Sequence, residues 1–202
     1  MSTTPSAPAS AGPDTTADTG SRTRILDSAL ALMSAQGSAA VSMRQVAAAA
    51  AVNVATIYHY FPSKADLLRA VIEERRYPAR LATDRPALPA DATPAERLVE
   101  LAGWLWSATV EEEAVFRLIV GESIRGEAAA ISSVRQLVAA LTATLEAWVA
   151  DLLPEHADRA ADLASALRDG LFARIVEHLT LGGVDVAEAR RRAAALARLL
   201  PR

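Results

Sequence analysis

Apolar residues along this chain recur at spacings of three and four positions, which is the period of an amphipathic helix. The pattern holds almost everywhere after Gly20, and the runs of β-branched residues that favour strands are missing. Alanine, the strongest helix former, is abundant. The sequence therefore predicts an all-α fold.

Capping residues set the boundaries of four predicted helices in the first part of the chain. Gly37 suits the left-handed position that follows a helix, so the first helix is predicted over 21–36. Ser42 and Gln45 form a capping-box pair that starts a second helix, which ends near Ala50. The next two helices are predicted over 53–60 and 63–81. Their start signals are Asn53 and Ser63.

Five more helices are predicted after a proline-containing loop at 83–92. Thr93 caps the first of them, with Pro94 at the first helical position and Glu96 at the capping-box position. Asp185 caps the last one. The predicted spans are 93–109, 111–125, 127–153, 155–181 and 185–200.

Composition divides the chain into three predicted segments: a disordered tail at 1–20, a head at 21–81 and a body at 82–202. The tail holds Ser, Thr, Ala, Pro and Asp, which bury too little surface to offset the entropy of ordering. It lacks the basic start and apolar middle of a signal peptide. No stretch of about 18 uncharged apolar residues occurs, so no membrane span is predicted.

The charge is unevenly distributed. The whole chain has a net charge of −3, but residues 22–80 carry eight basic and four acidic residues. A basic module therefore precedes an acidic one, which is typical of a nucleic-acid-binding head, although chance remains an alternative. The chain has no Cys, which excludes disulfides, iron–sulfur clusters, thiolate zinc sites and cysteine nucleophiles.

The most informative stretch, 42–68, reads SMRQVAAAAAVNVATIYHYFPSKADLL. It predicts two short helices joined by a tight link at 51–52, the arrangement of a helix-turn-helix. The expected packing partners are Val46, Ala47, Ala50, Val54 and Ile57. The second helix would face outward with Asn53, Ala55, Thr56, Tyr58, His59 and Tyr60.

This stretch resembles the DNA-binding head of the TetR family of bacterial transcriptional regulators. The resemblance covers roughly 22–71. Its most specific part is 52–61, followed by Ser63-Lys64 and Leu67-Leu68. One departure is Ala51, which stands where the family most often has Gly. A left-handed backbone there costs Ala on the order of 1 kcal/mol.

The resemblance implies a set of DNA-contacting residues: Ser42, Arg44, Asn53, Val54, Ala55, Thr56, Tyr58, His59, Tyr60 and Lys64. Lys64 matches a family lysine that neutralises a phosphate, and Arg44 is placed to reach bases or backbone. Val54 and Ala55 are apolar, which favours contact with thymine methyl groups. Arg22 and Arg24 would touch flanking DNA, and Phe61 is expected in the core. A core role for Tyr58 and a partnerless surface position for His59 remain alternatives.

For the body, the resemblance implies a homodimer through the last two helices and a pocket for a small-molecule effector. The expected interface stripes are Leu163, Ala166, Leu167, Gly170, Leu171, Arg174, Ile175 and His178, then Ala193, Leu196, Ala197 and Leu200. The alternative is that these stripes form intramolecular core. The candidate pocket residues are Trp104, Phe116, Arg117, Glu122, Arg125, Trp148, Phe172 and His178, with plain core and surface positions as their alternative.

The sequence thus predicts a cytoplasmic, ligand-responsive repressor of operator DNA, with no cofactor, metal or catalytic residues. A transcriptional activator and an architectural DNA-binding protein without a sensor are the alternatives. An enzyme is disfavoured because no Gly-rich phosphate loop or Gly-x-Ser-x-Gly elbow occurs, and the run at 111–113 resembles a solvated helix start.

Overall fold

The computed structural model describes residues 15–74, Pro86, Leu88 and 91–198. Every regular element in that part of the chain is helical, which confirms the predicted all-α class. The head contains α1 (Thr15–Gln36), α2 (Met43–Ala49), α3 (Val54–Tyr60) and α4 (Lys64–Glu74). The body contains α5 (Pro94–Glu111), α6 (Glu113–Ile124), α7 (Ala128–Leu152), α8 (Ala160–Leu181) and α9 (Val186–Ala197).

Local capping chemistry accounts for most of the helix starts. The capping boxes of Ser42 with Gln45 and of Thr93 with Glu96 are both formed. The Asn53 side chain accepts from the Ala55 N–H at 2.9 Å. These side chains satisfy backbone N–H groups that have no partner inside the helix. The predicted starts of α2, α3 and α5 are confirmed to within a residue.

Two helix boundaries differ from the prediction. Helix α1 begins at Thr15, six residues before the expected start, so the last residues of the predicted tail are helical. The Thr23 Oγ1 hydroxyl donates to the Thr19 carbonyl oxygen one turn back, as a threonine inside a helix does. Residues 154–159 form a 3₁₀ segment, in which His156 has non-helical backbone angles, and α8 starts after it. Residues 1–14, the predicted helix ends at Leu81 and Leu200, and most of the 83–92 loop lie outside the described residues.

Two apolar clusters make up the core, and α6 contributes to both. The body cluster is built from α5, α7, α8 and α9 and includes Phe116 of α6. The head cluster is built from α1 to α4 and includes Val115, Leu118 and Ile119 of α6. Ala130 of α7 also lies in the head cluster, so two helices of the body form part of the hydrophobic core of the head. The predicted division into 21–81 and 82–202 remains a prediction.

The apolar stripe expected at a dimer interface is instead largely intramolecular core. Leu167, Leu171 and Ile175 of α8 are buried within the single chain, as are Ala193 and Ala197 of α9. Amphipathic periodicity identifies the face of a helix that is buried, but the same stripe fits a neighbouring helix or a partner chain. The Leu196 side chain and Leu200 lie outside what the structure describes.

Helix α7 is long and apolar enough to cross a membrane by length and composition alone. It lies in the body, where Leu137, Leu141, Leu145 and Val149 enter the core at helical spacing. It is therefore the core helix of a helical domain.

Candidate nucleic-acid interface

Helices α2 and α3 form the predicted helix-turn-helix. Val46, Ala47 and Ala50 are buried together with Ile57 in the head cluster. The small side chains allow the two helices to approach closely, and they leave the opposite face of α3 uncovered. The expected packing of the motif is confirmed.

The link between the two helices is a Schellman turn with alanine at its left-handed position. Ala51 has φ 53°, the only positive value among the described residues other than glycine. The Val52 N–H donates to the Ala47 carbonyl oxygen at 3.0 Å, and the Ala51 N–H donates to Ala48 at 3.3 Å. These are the two hydrogen bonds that end a helix in this motif. The predicted strain at Ala51 is therefore present.

The outward face of α3 has the side chains that the sequence predicted. Asn53, Ala55, Tyr58 and His59 are exposed, with Tyr58 at 50 % of its possible area. Thr56 and Tyr60 are half-buried. An N-capped short helix with small and polar exposed groups fits the major groove of B-DNA.

Other predicted contact residues flank this face. Arg44 lies on the exposed side of α2. The Ser42 hydroxyl donates to the Gln45 side chain at 2.8 Å, so it is engaged in the cap. Val54 is half-buried against the head cluster, whereas Ala55 presents its methyl group to solvent. The DNA contacts of all these residues remain predictions.

Arg22 forms contacts within the head, and its predicted contact with flanking DNA stays a prediction. Its guanidinium pairs with Glu74 of α4 and lies 5.3 Å from the centroid of the Phe61 ring. Phe61 itself is 2 % exposed, as expected of a core residue. The pKa of Arg22 is raised by its hydrogen bond to Glu74. Arg22 therefore ties α1 to α4.

Lys64 is engaged by the backbone of the head. Its Nζ donates to the carbonyl oxygens of Ser38, Ala39 and Val41 at 3.0, 3.3 and 3.3 Å. An ammonium group has three N–H donors, so these contacts use all of them. The predicted phosphate contact remains untested, and it would require exchanging one of these bonds.

Glu122 and Arg125, two of the residues predicted to line an effector pocket, lie at the junction of head and body. Glu122 is 3 % exposed and accepts from the Ser38 N–H and Ser38 Oγ, both at 2.8 Å. Arg125 donates to Glu122 at 2.5 Å. Glu122 follows Val115, Leu118 and Ile119 on one face of α6, and that face packs on the head. The predicted effector contact of both residues stays a prediction.

The remaining pocket candidates divide into small groups within the body. The Trp104 and Trp148 rings meet edge to face with centroids 5.5 Å apart. His178 Nε2 lies 3.3 Å from Glu113, whose other oxygen pairs with Arg117 at 2.5 Å. Phe116 is buried and Phe172 is half-buried, both against the body cluster. Their contact with an effector stays a prediction.

One open cleft of about 960 Å³ lies between α5 and α9. It is lined by Pro86, Leu88, Asp91, Ala92, Glu96, Glu100, Gly103, Trp104, Ser107 and Arg190. Arg190 pairs with Glu100 at 2.7 Å across it. Of the predicted pocket residues, only Trp104 lines this cleft.

Three buried polar atoms among the described residues have no hydrogen-bond partner. They are Ser123 Oγ, Arg174 Nε and His178 Nδ1. Arg174 is 6 % exposed, and burial, followed by the nearby charge of Arg192, lowers its pKa. The charges of Glu177 and Glu188 partly offset this lowering, but a buried Nε without a hydrogen-bond partner among the described residues costs stability.

The sequence analysis missed Ser38 as a site residue. Its short 3₁₀ turn (Ser38–Ala40) bonds the body through Glu122 and α4 through Lys64. One sequence signal was available: Glu122 falls on the apolar stripe of α6, where a carboxylate needs a buried donor. The identity of that donor could not be read from spacing.

Known proteins share this architecture and this motif. The profile of the family described as bacterial regulatory proteins, tetR family, matches residues 25–71. The HTH-type transcriptional repressor KstR of Mycobacterium tuberculosis is 38 % identical over 116 residues, which cover 57 % of this chain and 52 % of that protein. The chain thus spans about half the length of that relative.

Two further comparisons extend beyond the head. A crystal structure of a transcriptional regulator (TerR/AcrR family) from Aquifex aeolicus VF5 superposes with a TM-score of 0.69 over 89 % of this chain and 98 % of that one. At 17 % identity it shows the shared fold alone. The HTH-type transcriptional regulator BetI of Rhizobium meliloti is 32 % identical over 171 residues, 76 % of each chain. The chain therefore belongs to the TetR family of bacterial regulatory proteins.

Proposed function

We propose that this chain is a cytoplasmic, homodimeric repressor that binds operator DNA through α2 and α3 and is released by a small-molecule effector. The observation that carries the proposal is the face of α3, where Ala55, Tyr58 and His59 are exposed on an N-capped helix. The repressor name of the KstR relative supports repression over activation.

The dimer would form through the exposed side of α8 rather than through its buried stripe. Ala166, Ala173, Val176 and Leu181 are exposed on that helix, with Val176 at 47 % and Leu181 at 82 %. Exposed large apolar side chains are common at interfaces between chains. A two-fold axis beside α8 would place the same face of both copies in contact.

The effector would occupy the cleft between α5 and α9. Trp104 offers an aromatic wall, and the ion pair of Glu100 with Arg190 offers polar groups that fix orientation. Pockets for small molecules combine apolar walls with a few placed polar groups. Binding there would change the emission of Trp104, whose ring touches Trp148.

In vitro selection from random-sequence duplexes tests DNA binding by the full-length chain. We expect an enriched inverted repeat with half-site centres about one helical turn, roughly 34–36 Å, apart. Enrichment of a single half-site would contradict the dimer. No enrichment, together with no salt-sensitive affinity for any duplex, would contradict the regulator itself.

A further inference from the structure

We propose that Glu122 is a positioning residue for DNA binding, through which the body fixes the orientation of the head and so the spacing of the two recognition helices. The proposal rests on the proposed dimeric DNA binding. It assigns this role to Glu122 on α6, Ser38 on the 3₁₀ turn and Lys64 on α4.

Glu122 is held by donors from both sides of the junction. Its two carboxylate oxygens accept from the N–H and the hydroxyl of Ser38 at 2.8 Å each, and Arg125 donates to it at 2.5 Å. Two bonds from one residue to one carboxylate fix direction as well as distance. The contact therefore defines how the turn sits on α6.

Glu122 stays charged despite its burial. Burial raises the pKa of this carboxyl, but the hydrogen bonds from Arg125 and from Ser38 together outweigh it and leave the pKa below its usual value. A buried carboxylate is costly unless its partners remain in place. Head and body are thus expected to move as a unit while Ser38 stays bound.

Ser38 is also bonded to α4, the helix that follows the recognition helix. Its carbonyl oxygen accepts from Lys64 Nζ at 3.0 Å. Lys64 is the first residue of α4 and stands four positions after Tyr60, the end of α3. A path of three residues thus connects α6 to the element that follows the recognition helix.

The apolar contacts of α6 with the head do not fix the orientation of the head. Val115, Leu118 and Ile119 lie in the head cluster, but hydrophobic contact is non-directional and tolerates small rotations. The hydrogen bonds of Glu122 are directional, so their loss should leave the head attached but less precisely oriented.

The test measures how sharply the full-length protein discriminates half-site spacing. The probes are the duplex selected by the wild-type protein and the same duplex with one or two base pairs inserted between the half-sites. Each inserted base pair moves one half-site by about 3.4 Å and rotates it by about 35°. We expect the wild-type protein to lose about tenfold or more in affinity per insertion, within the usual range of coupling between sites.

Glu122→Gln is the decisive variant because it keeps the shape and removes the charge. Glu113→Gln is the matched control: Glu113 lies on the same helix, and its ion-pair partners, Arg117 and His178, both belong to the body. Ser38→Ala, which removes one donor only, is the second variant should Glu122→Gln fold poorly.

We expect Glu122→Gln to discriminate the spacings by less than about threefold, Ser38→Ala to fall between, and Glu113→Gln to match the wild type. A uniform loss of affinity at all spacings would overturn the proposal, because that is what simple destabilisation produces. An unchanged spacing profile in both junction variants would overturn it too. If the wild-type protein selects no duplex, the proposed DNA binding itself has failed. That outcome is distinct from a failure of the role proposed for Glu122, which is measured only on a duplex that the wild-type protein selects.

Discussion

The Lys64 ammonium group lies 3.0 Å from the Ser38 carbonyl oxygen. It donates its two other N–H groups to the carbonyl oxygens of Ala39 and Val41. A cation that the sequence assigned to DNA is thus used to hold the turn between α1 and α2.

Lys64→Met separates these two roles. We expect lower stability, by about 1–3 kcal/mol, because three carbonyl oxygens lose a charged donor. We also expect an unchanged slope of log affinity against log salt, because carbonyl oxygens of the head use all three N–H donors of Lys64 and leave none for a phosphate. Urea unfolding and DNA titration over a salt series measure both quantities. A slope smaller by about 0.9 in the variant would mean that Lys64 contacts a phosphate, as the family resemblance implies.

Ala51→Gly relieves the left-handed backbone at the turn. Removing strain at φ 53° should raise the free energy of unfolding by up to about 1 kcal/mol, partly offset by the greater freedom of Gly when unfolded. The control is Ala48→Gly inside α2, which should lower stability by about 1 kcal/mol. Equal losses in both variants would show that the turn at Ala51 is unstrained.

Arg174→Met removes a buried guanidinium but keeps an unbranched apolar stem. Because Arg174 Nε has no partner among the described residues, we expect the variant to be more stable by about 1–3 kcal/mol. Denaturant unfolding of the protein measures the change. A marked loss of stability would mean that a second chain or a bound anion supplies the missing partner.

Acid should destabilise the protein through its ion-paired carboxyls. Hydrogen bonds from Arg117 and then His178 lower the pKa of Glu113 below 4.5, and the pKa of Glu122 is lowered too. At a pH between the folded and the unfolded pKa, the unfolded chain binds more protons than the folded protein does. The stability contributed by these two carboxylates is therefore complete above pH 4.5 and is lost as the pH falls through the folded pKa. The urea midpoint should therefore fall as the pH drops below 4.5, and it should fall less steeply in Glu122→Gln.

Val176→Asp tests the dimer face on α8. Val176 is 47 % exposed in the single chain, so a carboxylate there should leave the monomer folded and weaken association. Ile124→Asp, at 82 % exposure on α6, is the control that should not change the oligomeric state. Sedimentation measures both. A dimer that persists unchanged in Val176→Asp places the interface elsewhere.

Structural features that depend on residues close together in the sequence could be predicted, whereas contacts between residues far apart in the sequence could not. The caps at Ser42, Asn53 and Thr93 join each side chain to a backbone N–H two or three positions on, and all three are formed. The contact of Glu122 with the head was not predicted, because its partner Ser38 is 84 positions away in the sequence. Spacing identifies a buried polar position, but not the element that covers it.

The same limit explains the misassigned stripe of α8. Leu167 and Leu171 have the spacing of a buried face, and periodicity alone does not say whether a helix of the same chain or of a second copy buries it. In the structure they are 3 % and 4 % exposed within one chain. By contrast, the α3 face was predicted well, because a short helix with Ile57 as its buried residue leaves the opposite side outward.

The most direct measurement is fluorescence anisotropy of the full-length protein on labelled DNA from just upstream of its own gene, with scrambled DNA as control, over a salt series. We expect tight binding to the upstream DNA, a steep linear fall of log affinity with log salt, and weakening in Arg44→Ala and Tyr58→Phe. An absence of salt-sensitive affinity for either DNA would contradict the account.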